Sequence, residues 1–481
     1  MTETQFADDR LEHLEQLEEQ NYDAYDASNM PNPESIDMFC NTYQNQEEIE
    51  DSQEWVLAGR ITRKNTFGDF SFFDIDDRTD SVQVMCRRDD IDEYDMLEDH
   101  VNLGDHVVFS GKAGRSNTGE LSIVAESYSL SSKSLTEYST EWNSLGEKQR
   151  IEQRTSALTT NDELFNSVRT RFEMQQEIRQ YLNMHDFLEV ETPTIDKYSG
   201  GAESTDFETY CEDINQNMSL RVAPELYLKR LITTGFTQIY EIARCYRNES
   251  IDTTHNPEFT MLELYQTYAD YEDMMELTEN LISTVTDNIT GSTDITFNET
   301  EIDMSAPWER REFDDLVTEY ISENNEINSV EETDIRSHLE DEYGVDVDTN
   351  ATYDEVLMEL FEEAIESELM GPIFVTDYPS ISTPLCRTHE GKEHNRVERF
   401  EAFVSGMEIT NAYTELTNPV EQYERMAEQG SDVNTEFINA ISQGMPPTGG
   451  LGIGIDRIAM ILTDSQSIKN VLPYPLTYNR T

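Results

Sequence analysis

The chain has 481 residues, 100 acidic against 33 basic side chains and a formal charge of −67. That length supports two or three domains with a sizeable core, and 10% aromatic content excludes a solvated, disordered polymer. Acid spread along the whole chain repels itself in dilute buffer and excludes a broad basic face for nucleic acid, so any such contact has to come from a local feature. Concentrated salt would screen the repulsion. We therefore read the composition as that of a halophile's cytoplasmic protein, an acidic mesophilic protein being the alternative. The cysteines Cys40, Cys86, Cys211, Cys245 and Cys386 are scattered, odd in number and lack a C-x-x-C pair. That pattern suits reduced thiols, not a disulfide framework or a zinc site. No signal peptide and no apolar run of membrane length is visible, so no membrane partner is expected.

Residues 1–50 read as an acidic N-terminal extension, in which LEHLEQLEEQNYDAY suggests a short helix followed by a flexible stretch. Residues 51–135 are strand-rich. WVLAGRITRK, FSFFDIDD, DSVQVMCRR, DHVVFSGKAG and LSIVAESYSL alternate or cluster β-formers and are separated by Gly, Asp and Asn turns. Five strands in so short a span suit a small barrel such as the OB-fold. A polar linker covers 136–160. Within 161–481, FNSVRTRFEMQQEIRQYLNMHDFLEVETPTI reads as a long amphipathic helix that breaks at His185-Asp186 and leads to a strand ending at Pro193. Beyond it β-rich runs alternate with helices, region 310–370 is acidic and mostly helical, and GGLGIGIDRIAMILT looks like a glycine strand feeding a helix. The class expected is α+β.

Three stretches carry chemistry. In RCYRNESIDTTHNPEFTMLELY, Arg247 can fork onto a phosphate or carboxylate. Glu249, two residues further along an extended chain, shares its face and can accept from an amine. His255 and Phe259 follow a polar loop, and Phe259 offers a flat surface for a base. Arginine, acid and aromatic together suit ATP, although the same residues suit a surface hairpin of charge pairs. In GGLGIGIDRIAM, the glycines permit close approach of a ligand to the backbone, and Arg457 falls where the helix begins. Neither a dinucleotide fingerprint nor a P-loop register is present; a tightly packed strand with an ion-paired arginine is the plainer alternative. In RFEAFVSGMEITNAYTEL, Glu401 and Glu408 offer hard oxygen ligands for Mg²⁺ near a triphosphate. Asn411, Tyr413 and Glu415 alternate on one strand face, as do Glu263 and Tyr265 in LELY, and pooled acid and tyrosine make a pocket for a cation.

These stretches resemble the class II lysyl-tRNA synthetases, over nearly the full length from about 54 to 475. HDFLEVETPTI is similar to the first class II motif, YRNESIDTTHNPEF to the second and GLGIGIDRIAM to the third. SGGAES, LRVAPELYLKRL, HNPEFTMLELYQTYADY, RFEAFV and EITNAYTEL are similar to the lysine branch. The resemblance implies an OB-fold anticodon-binding domain followed by a catalytic domain built on an antiparallel sheet flanked by helices. It implies ATP-dependent ligation of L-lysine to tRNA(Lys) through a lysyl-adenylate, with Mg²⁺. Arg247, Glu249 and Arg457 would be catalytic and, with Thr254, His255, Phe259 and Glu401, would bind ATP. Glu401 and Glu408 would hold the metal. Gly201, Glu225, Glu263, Tyr265, Asn411, Tyr413 and Glu415 would hold lysine, with Tyr265 and Glu415 at its side-chain ammonium. In the barrel, Phe72 would stack on an anticodon base, Gln83 would read a base edge, and Arg63 and Lys64 would touch phosphate. The first motif, with Pro193, would build a homodimer interface.

The chain departs from the family pattern after SGGAES, where FETYCEDINQN replaces a Phe and Thr-His-His-Asn run, and at Thr254, where an arginine is common. Aspartyl- and asparaginyl-type enzymes share this architecture, but an acidic substrate side chain needs a cationic pocket, and Glu263, Tyr265 and Glu415 offer the opposite. Paralogues that lysylate a protein resemble the catalytic domain alone, without a barrel. A tRNA-binding protein with a dead site would not need Arg247, Glu249, Glu401, Glu408 and Arg457 together.

Overall fold

Alternating apolar residues in the first strands close a barrel. The computed structural model describes residues 6–476 apart from 26–29, 47, 50–52, 137, 139–145, 198–199, 202–203, 324–330, 393–394 and 429–432. The chain divides into two compact units, Met1–Glu141 and Trp142–Thr481. In the first, α1 (Asp8–Glu19) and α2 (Ile36–Tyr43) precede β1 (Glu54–Phe67), β2 (Phe70–Asp76), β3 (Ser81–Arg87), α3 (Tyr94–His100), β4 (His106–Arg115) and β5 (Leu121–Ser132). The strands close in the order β1-β2-β3-β5-β4. Trp55, Leu57, Ile61, Phe73, Ile75, Val84 and Phe109 are buried in its interior, most of them at every second position of their strands. At Gly111 a Cβ would stand 2.0 Å from the Val124 carbonyl oxygen, so the close crossing of β4 and β5 needs glycine there.

The short helix expected near the start is present as α1, but described residues after it pack on the barrel where the sequence suggests a flexible stretch. Leu17, Ile36, Phe39 and Tyr43 are buried in the barrel's own core cluster, and the Trp55 indole N–H donates to the Tyr43 hydroxyl at 3.0 Å. Ile36, Phe39 and Tyr43 fall at helical spacing, an apolar stripe that the acidic composition around it conceals. Fully buried Lys133 pairs with Asp105 at 2.7 Å.

In the second unit, α4 (Asp162–Met184) is capped by Asn161, whose side chain accepts from the Leu164 N–H. It ends where the sequence breaks its pattern, with Asp186 at φ 63°. There follow β6 (Leu188–Glu189), α5 (Glu225–Thr233), β7 (Gln238–Tyr246), β8 (Glu258–Thr267), α6 (Tyr271–Thr290), β9 (Glu309–Glu312), β10 (Ile373–Thr376), β11 (Arg399–Val404), β12 (Met407–Thr414), β13 (Thr448–Gly454) and α7 (Ile455–Leu462). Eight strands form one sheet in the order β9-β10-β11-β12-β13-β8-β7-β6. The inner pairings are antiparallel; only the two edge strands, β9 and β6, run parallel to their neighbours. The apolar sides of α4, α6 and α7 cover the sheet, with Met174, Ile178, Met274, Ile282, Ile458 and Ile461 in its main core. Region 310–370 is helical at Phe313–Glu323, Glu332–His338 and Tyr353–Leu360, around a second core containing Phe313, Phe361 and Phe403. The linker's second half belongs to this unit: Arg154 donates to the carbonyls of Lys469 at 2.9 Å and Pro473 at 3.0 Å. The α+β architecture expected from the sequence is the one observed.

Candidate active site

The sheet's open face holds a cleft of about 750 Å³, and every catalytic-domain residue singled out in the sequence as a site residue lines it. Four central strands frame it. β7 and β8 form a hairpin in which Glu241 pairs with Glu263, and β8 runs antiparallel to β13 with Glu263 beside Gly452 and Tyr265 beside Gly450. β13 also borders β12, placing Asn411 beside Gly452 and Tyr413 beside Gly450. The glycine strand thus lies between two strands carrying polar side chains and leaves room for them. The demand at Gly450 is space: a Cβ there would stand 2.0 Å from Glu415 Oε1 and 2.7 Å from Tyr265 Cε1.

One end of the cleft is an acidic, aromatic pocket. Glu225, Glu263 and Glu415 are buried in it. The Tyr265 hydroxyl donates to Glu263 Oε2 at 3.2 Å, and the Tyr413 hydroxyl donates to Glu225 Oε1 at 2.5 Å. Burial, reinforced by Glu225, raises the Glu263 carboxyl well above the ordinary carboxylate range. Burial raises Glu415 to about 8, against the opposing pull of Lys229. Gly201, with φ 96°, closes the rim where a Cβ would stand 3.2 Å from Glu225 Cβ. A substrate that brings a positive charge lets these carboxyls ionise inside a water-poor pocket.

The other end is cationic and aromatic. The Arg247 guanidinium lies 5.0 Å from the Phe259 ring centre, with its Nε buried and unpartnered. Arg247 and Glu249 fall just past the end of β7, in the loop, and not on a strand as expected. Glu249 Oε1 accepts the Thr205 N–H at 3.0 Å. The Ser204 hydroxyl, with that N–H and Arg247, holds its carboxyl below the usual range. Asp252 organises the loop: it accepts the Thr254 N–H at 2.8 Å and the His255 N–H at 2.8 Å. The His255 ring then meets Arg457 Nη2 at 3.1 Å. Arg457 also donates to the Glu408 carbonyl at 2.6 Å and to Glu408 Oε2 at 3.0 Å.

Between the two ends lie Glu401 and Glu408, on the hairpin of β11 and β12. Arg399 Nη2 donates to Glu401 Oε1 at 2.5 Å, and Asn411 bridges Arg399 Nε at 3.1 Å and Glu401 Oε1 at 3.3 Å. Burial, opposed by Arg399 and reinforced by Glu408, raises Glu401 to about 7. Glu366 nearby rises to about 8 through burial, Glu408 and Glu401. Among the described residues no group of three or more acidic, histidine or cysteine side chains is arranged to hold a metal alone. Two neighbouring carboxylates of like charge, open to a cleft, are nonetheless a fitting partial donor set for a hard divalent ion whose remaining ligands come from phosphate and water.

Several contributors escaped the sequence. Lys229 stands between Glu225 and Glu415; it follows Glu225 by one helical turn, a spacing that is enough to find it. Arg399 precedes Glu401 by two on the same strand. Asp456, whose Oδ1 takes Arg171 Nε at 2.6 Å and whose Oδ2 takes the Thr260 N–H at 2.7 Å, fixes the start of α7 next to Arg457.

The barrel residues fare unevenly. Arg63 is exposed and paired with Asp74 at 2.7 Å. Phe72 is half-buried, edge-on to exposed Phe67 at 6.2 Å between ring centres. Gln83 is 8% exposed; it donates to Glu120 Oε2 at 2.7 Å and accepts from the Ser122 hydroxyl at 2.9 Å. Lys64 is a correction. Its ammonium turns inward onto the Glu98 carbonyl and the Val101 carbonyl, the latter at 2.7 Å, closing the C-terminal end of α3. It is a structural cap and not a phosphate contact; the carbonyls a short helix leaves open take up the charge.

Residues 146–478 match the model of the tRNA synthetases class II (D, K and N), and residues 55–130 match the OB-fold nucleic acid binding domain. The lysine–tRNA ligase of Trichormus variabilis is 39% identical over 444 residues, covering 88% of this chain and 79% of the relative. That of Thermotoga maritima is 39% identical over 445 residues, covering 89% and 87%. That of Clostridium tetani is 40% identical over 454 residues, covering 90% and 88%. With an intact cleft and barrel behind these matches, the chain belongs to the lysine–tRNA ligase family of class II tRNA synthetases.

Proposed function

We propose that the chain joins L-lysine to its cognate tRNA in two steps, the first of them consuming ATP, both carried out in the cleft. The observation that carries this reading is the buried pocket of Glu225, Glu263, Glu415, Tyr265 and Tyr413 around Gly450, which suits an alkyl ammonium and rejects an acidic or apolar side chain. Lysine is held there by its ammonium at Glu415 and Tyr265, with Gly201, Glu263 and Asn411 along its length. ATP lies at the cationic end. Glu249, Thr254 and His255 line its site, and Phe259 offers a ring to adenine once Arg247 turns to the α-phosphate. Arg457 meets the adenine and the γ-phosphate.

The lysine carboxylate attacks the α-phosphorus in line, pyrophosphate leaves, and lysyl-adenylate forms. A terminal ribose hydroxyl of tRNA then attacks the adenylate carbonyl and AMP leaves. Arg247 stabilises charge at phosphorus; alignment of the two substrates supplies much of the remaining acceleration. Glu401 and Glu408 would hold Mg²⁺, which when bound neutralises phosphate charge. Removing Arg399's counter-charge from Glu401 would be part of forming that site.

The barrel takes the anticodon loop, with Phe72 stacking on a base and Gln83 and Arg63 beside it. Stacking suits unpaired loops and tolerates salt better than phosphate contacts. The edge strand β6, with exposed Leu188 on it and exposed Met184 at the end of α4, supports a homodimer. No helix among the described residues is long and apolar enough to cross a membrane, and we infer a cytoplasmic enzyme of a high-salt cell from the charge of −67. Charging of tRNA with radiolabelled lysine by the purified chain tests the reading: lysine-dependent, ATP-dependent charging is expected, and charging with aspartate or none would overturn it.

A further inference from the structure

The wall of the amino-acid pocket already contains a cation of the protein's own. Lys229, on α5, has a side chain 1% exposed, and its Nζ lies 2.6 Å from Glu225 Oε1 and in contact with Glu415 Oε2. The ammonium also stands 5.3 Å from the Tyr413 ring centre. Tyr413 in turn donates to the same Glu225 oxygen at 2.5 Å. Two carboxylates are therefore gripped from one side by one buried base. Neither Glu415 oxygen has a hydrogen-bond partner, but they differ in charge contact: Oε2 meets the Lys229 ammonium, while buried Oε1 meets no cation and faces the space that the absent side chain of Gly450 leaves open. A buried carboxylate oxygen without a hydrogen-bond partner is costly unless a cation arrives to meet it.

We propose that Lys229 is a positioning residue for amino-acid selection: its ammonium fixes one oxygen of Glu415 so that the other is presented to the side-chain ammonium of the substrate. The inference rests on the lysine pocket proposed above and adds what holds that pocket in register. One carboxylate then bridges two ammonium groups, one on each oxygen. Because the inner ammonium is anchored on a helix, it also sets the depth at which the outer one can sit. An amine one methylene shorter than lysine leaves Oε1 unmet; a longer one is driven against a like charge. A merely structural role would lower the melting temperature and weaken every kinetic constant together. A positioning role falls on lysine alone.

The test uses the full chain and lysine-dependent pyrophosphate–ATP exchange in about 2–3 M KCl, which screens the surface charge. Lys229→Met removes the grip, and Lys229→Arg keeps the charge but displaces it. The expected result is a rise in lysine KM of at least about tenfold for Lys229→Met and a smaller rise, about threefold to tenfold, for Lys229→Arg. The KM for ATP stays within about twofold and kcat within about threefold, and the preference for lysine over ornithine falls. Should Lys229→Met fail to fold, Lys229→Arg decides on the same criteria. A lysine KM unchanged in the folded variants, or equal losses in both substrates' KM and in kcat, overturns the inference. Absence of lysine-dependent exchange in the unaltered chain would overturn the pocket reading beneath it.

Discussion

Gly450→Ala puts a methyl group into the most crowded part of the proposed lysine pocket. Its Cβ would stand 2.0 Å from Glu415 Oε1, 2.7 Å from Tyr265 Cε1 and 3.1 Å from Tyr265 Cδ1. Reaching ordinary van der Waals separation would need a retreat of more than about 1 Å. Tyr265 is buried and backed by Glu263, and Glu415 is held at its other oxygen by Lys229, so neither can withdraw freely. The methyl then occupies the place where an ammonium would meet Oε1. Loss of one hydrogen-bonded, buried charge contact costs about 2–5 kcal/mol, which is about a thirty- to several-thousand-fold fall in kcat/KM for lysine. The KM for ATP, bound at the far end of the cleft, should stay within about twofold of normal. The assay is steady-state pyrophosphate exchange with lysine and ATP varied separately, beside a thermal melt showing that the variant folds. A folded variant whose lysine kcat/KM lies within about threefold of the parent would refute the reasoning, since it would mean that the substrate does not use this space.

Asp456→Ala should destabilise the catalytic unit, because it strands the buried Arg171 guanidinium and the Thr260 N–H. About 3–5 kcal/mol is expected. For a unit of about 340 residues, with an unfolding entropy of about 0.7 kcal/mol per kelvin, that is a drop of about 4–7 °C in Tm; a shift under about 1 °C would contradict it. Burial raises the Glu415 carboxyl above the ordinary carboxylate range, against the pull of the Lys229 ammonium, and a neutral carboxyl meets a substrate ammonium less well than a carboxylate does. Lysine kcat/KM should therefore rise with pH as the pocket's raised carboxyls ionise, and a profile flat through neutral pH would contradict this. Phe72→Ala should weaken binding of an anticodon stem-loop by about 1–3 kcal/mol while lysine-dependent exchange, measured without tRNA, stays unchanged. Dialysis from molar KCl into dilute buffer should unfold the chain through charge repulsion; a circular dichroism spectrum identical in both would count against the high-salt reading.

Much of the cleft is legible in the sequence because its residues sit at strand spacing. Asn411, Tyr413 and Glu415, like Glu263 and Tyr265, alternate, and alternation alone dictates which face they share. The glycines of GGLGIG announce close approach, and what approaches Gly450 is Glu415 and Tyr265. Where the sequence misleads, the missing information is direction or distance. The lysine in ITRK looks like a phosphate contact, yet the strand turns Lys64 inward onto helix carbonyls. Nothing local ties Arg171 to Asp456, 285 residues away. Acid-rich flanks hide the apolar stripe Ile36, Phe39 and Tyr43 that seats α2 on the barrel. A buried lysine in a lysine pocket runs against the first expectation for such a site, although the i,i+4 spacing of Lys229 from Glu225 is plain in LRVAPELYLKRL.

The most direct test of the account is pyrophosphate–ATP exchange by the purified chain with each of the twenty amino acids in turn, in about 2–3 M KCl. Exchange with lysine alone is the predicted result, because only its side chain brings a cation to Glu225, Glu263 and Glu415 at the required depth. Exchange with aspartate or asparagine, or with no amino acid at any salt concentration, would contradict it.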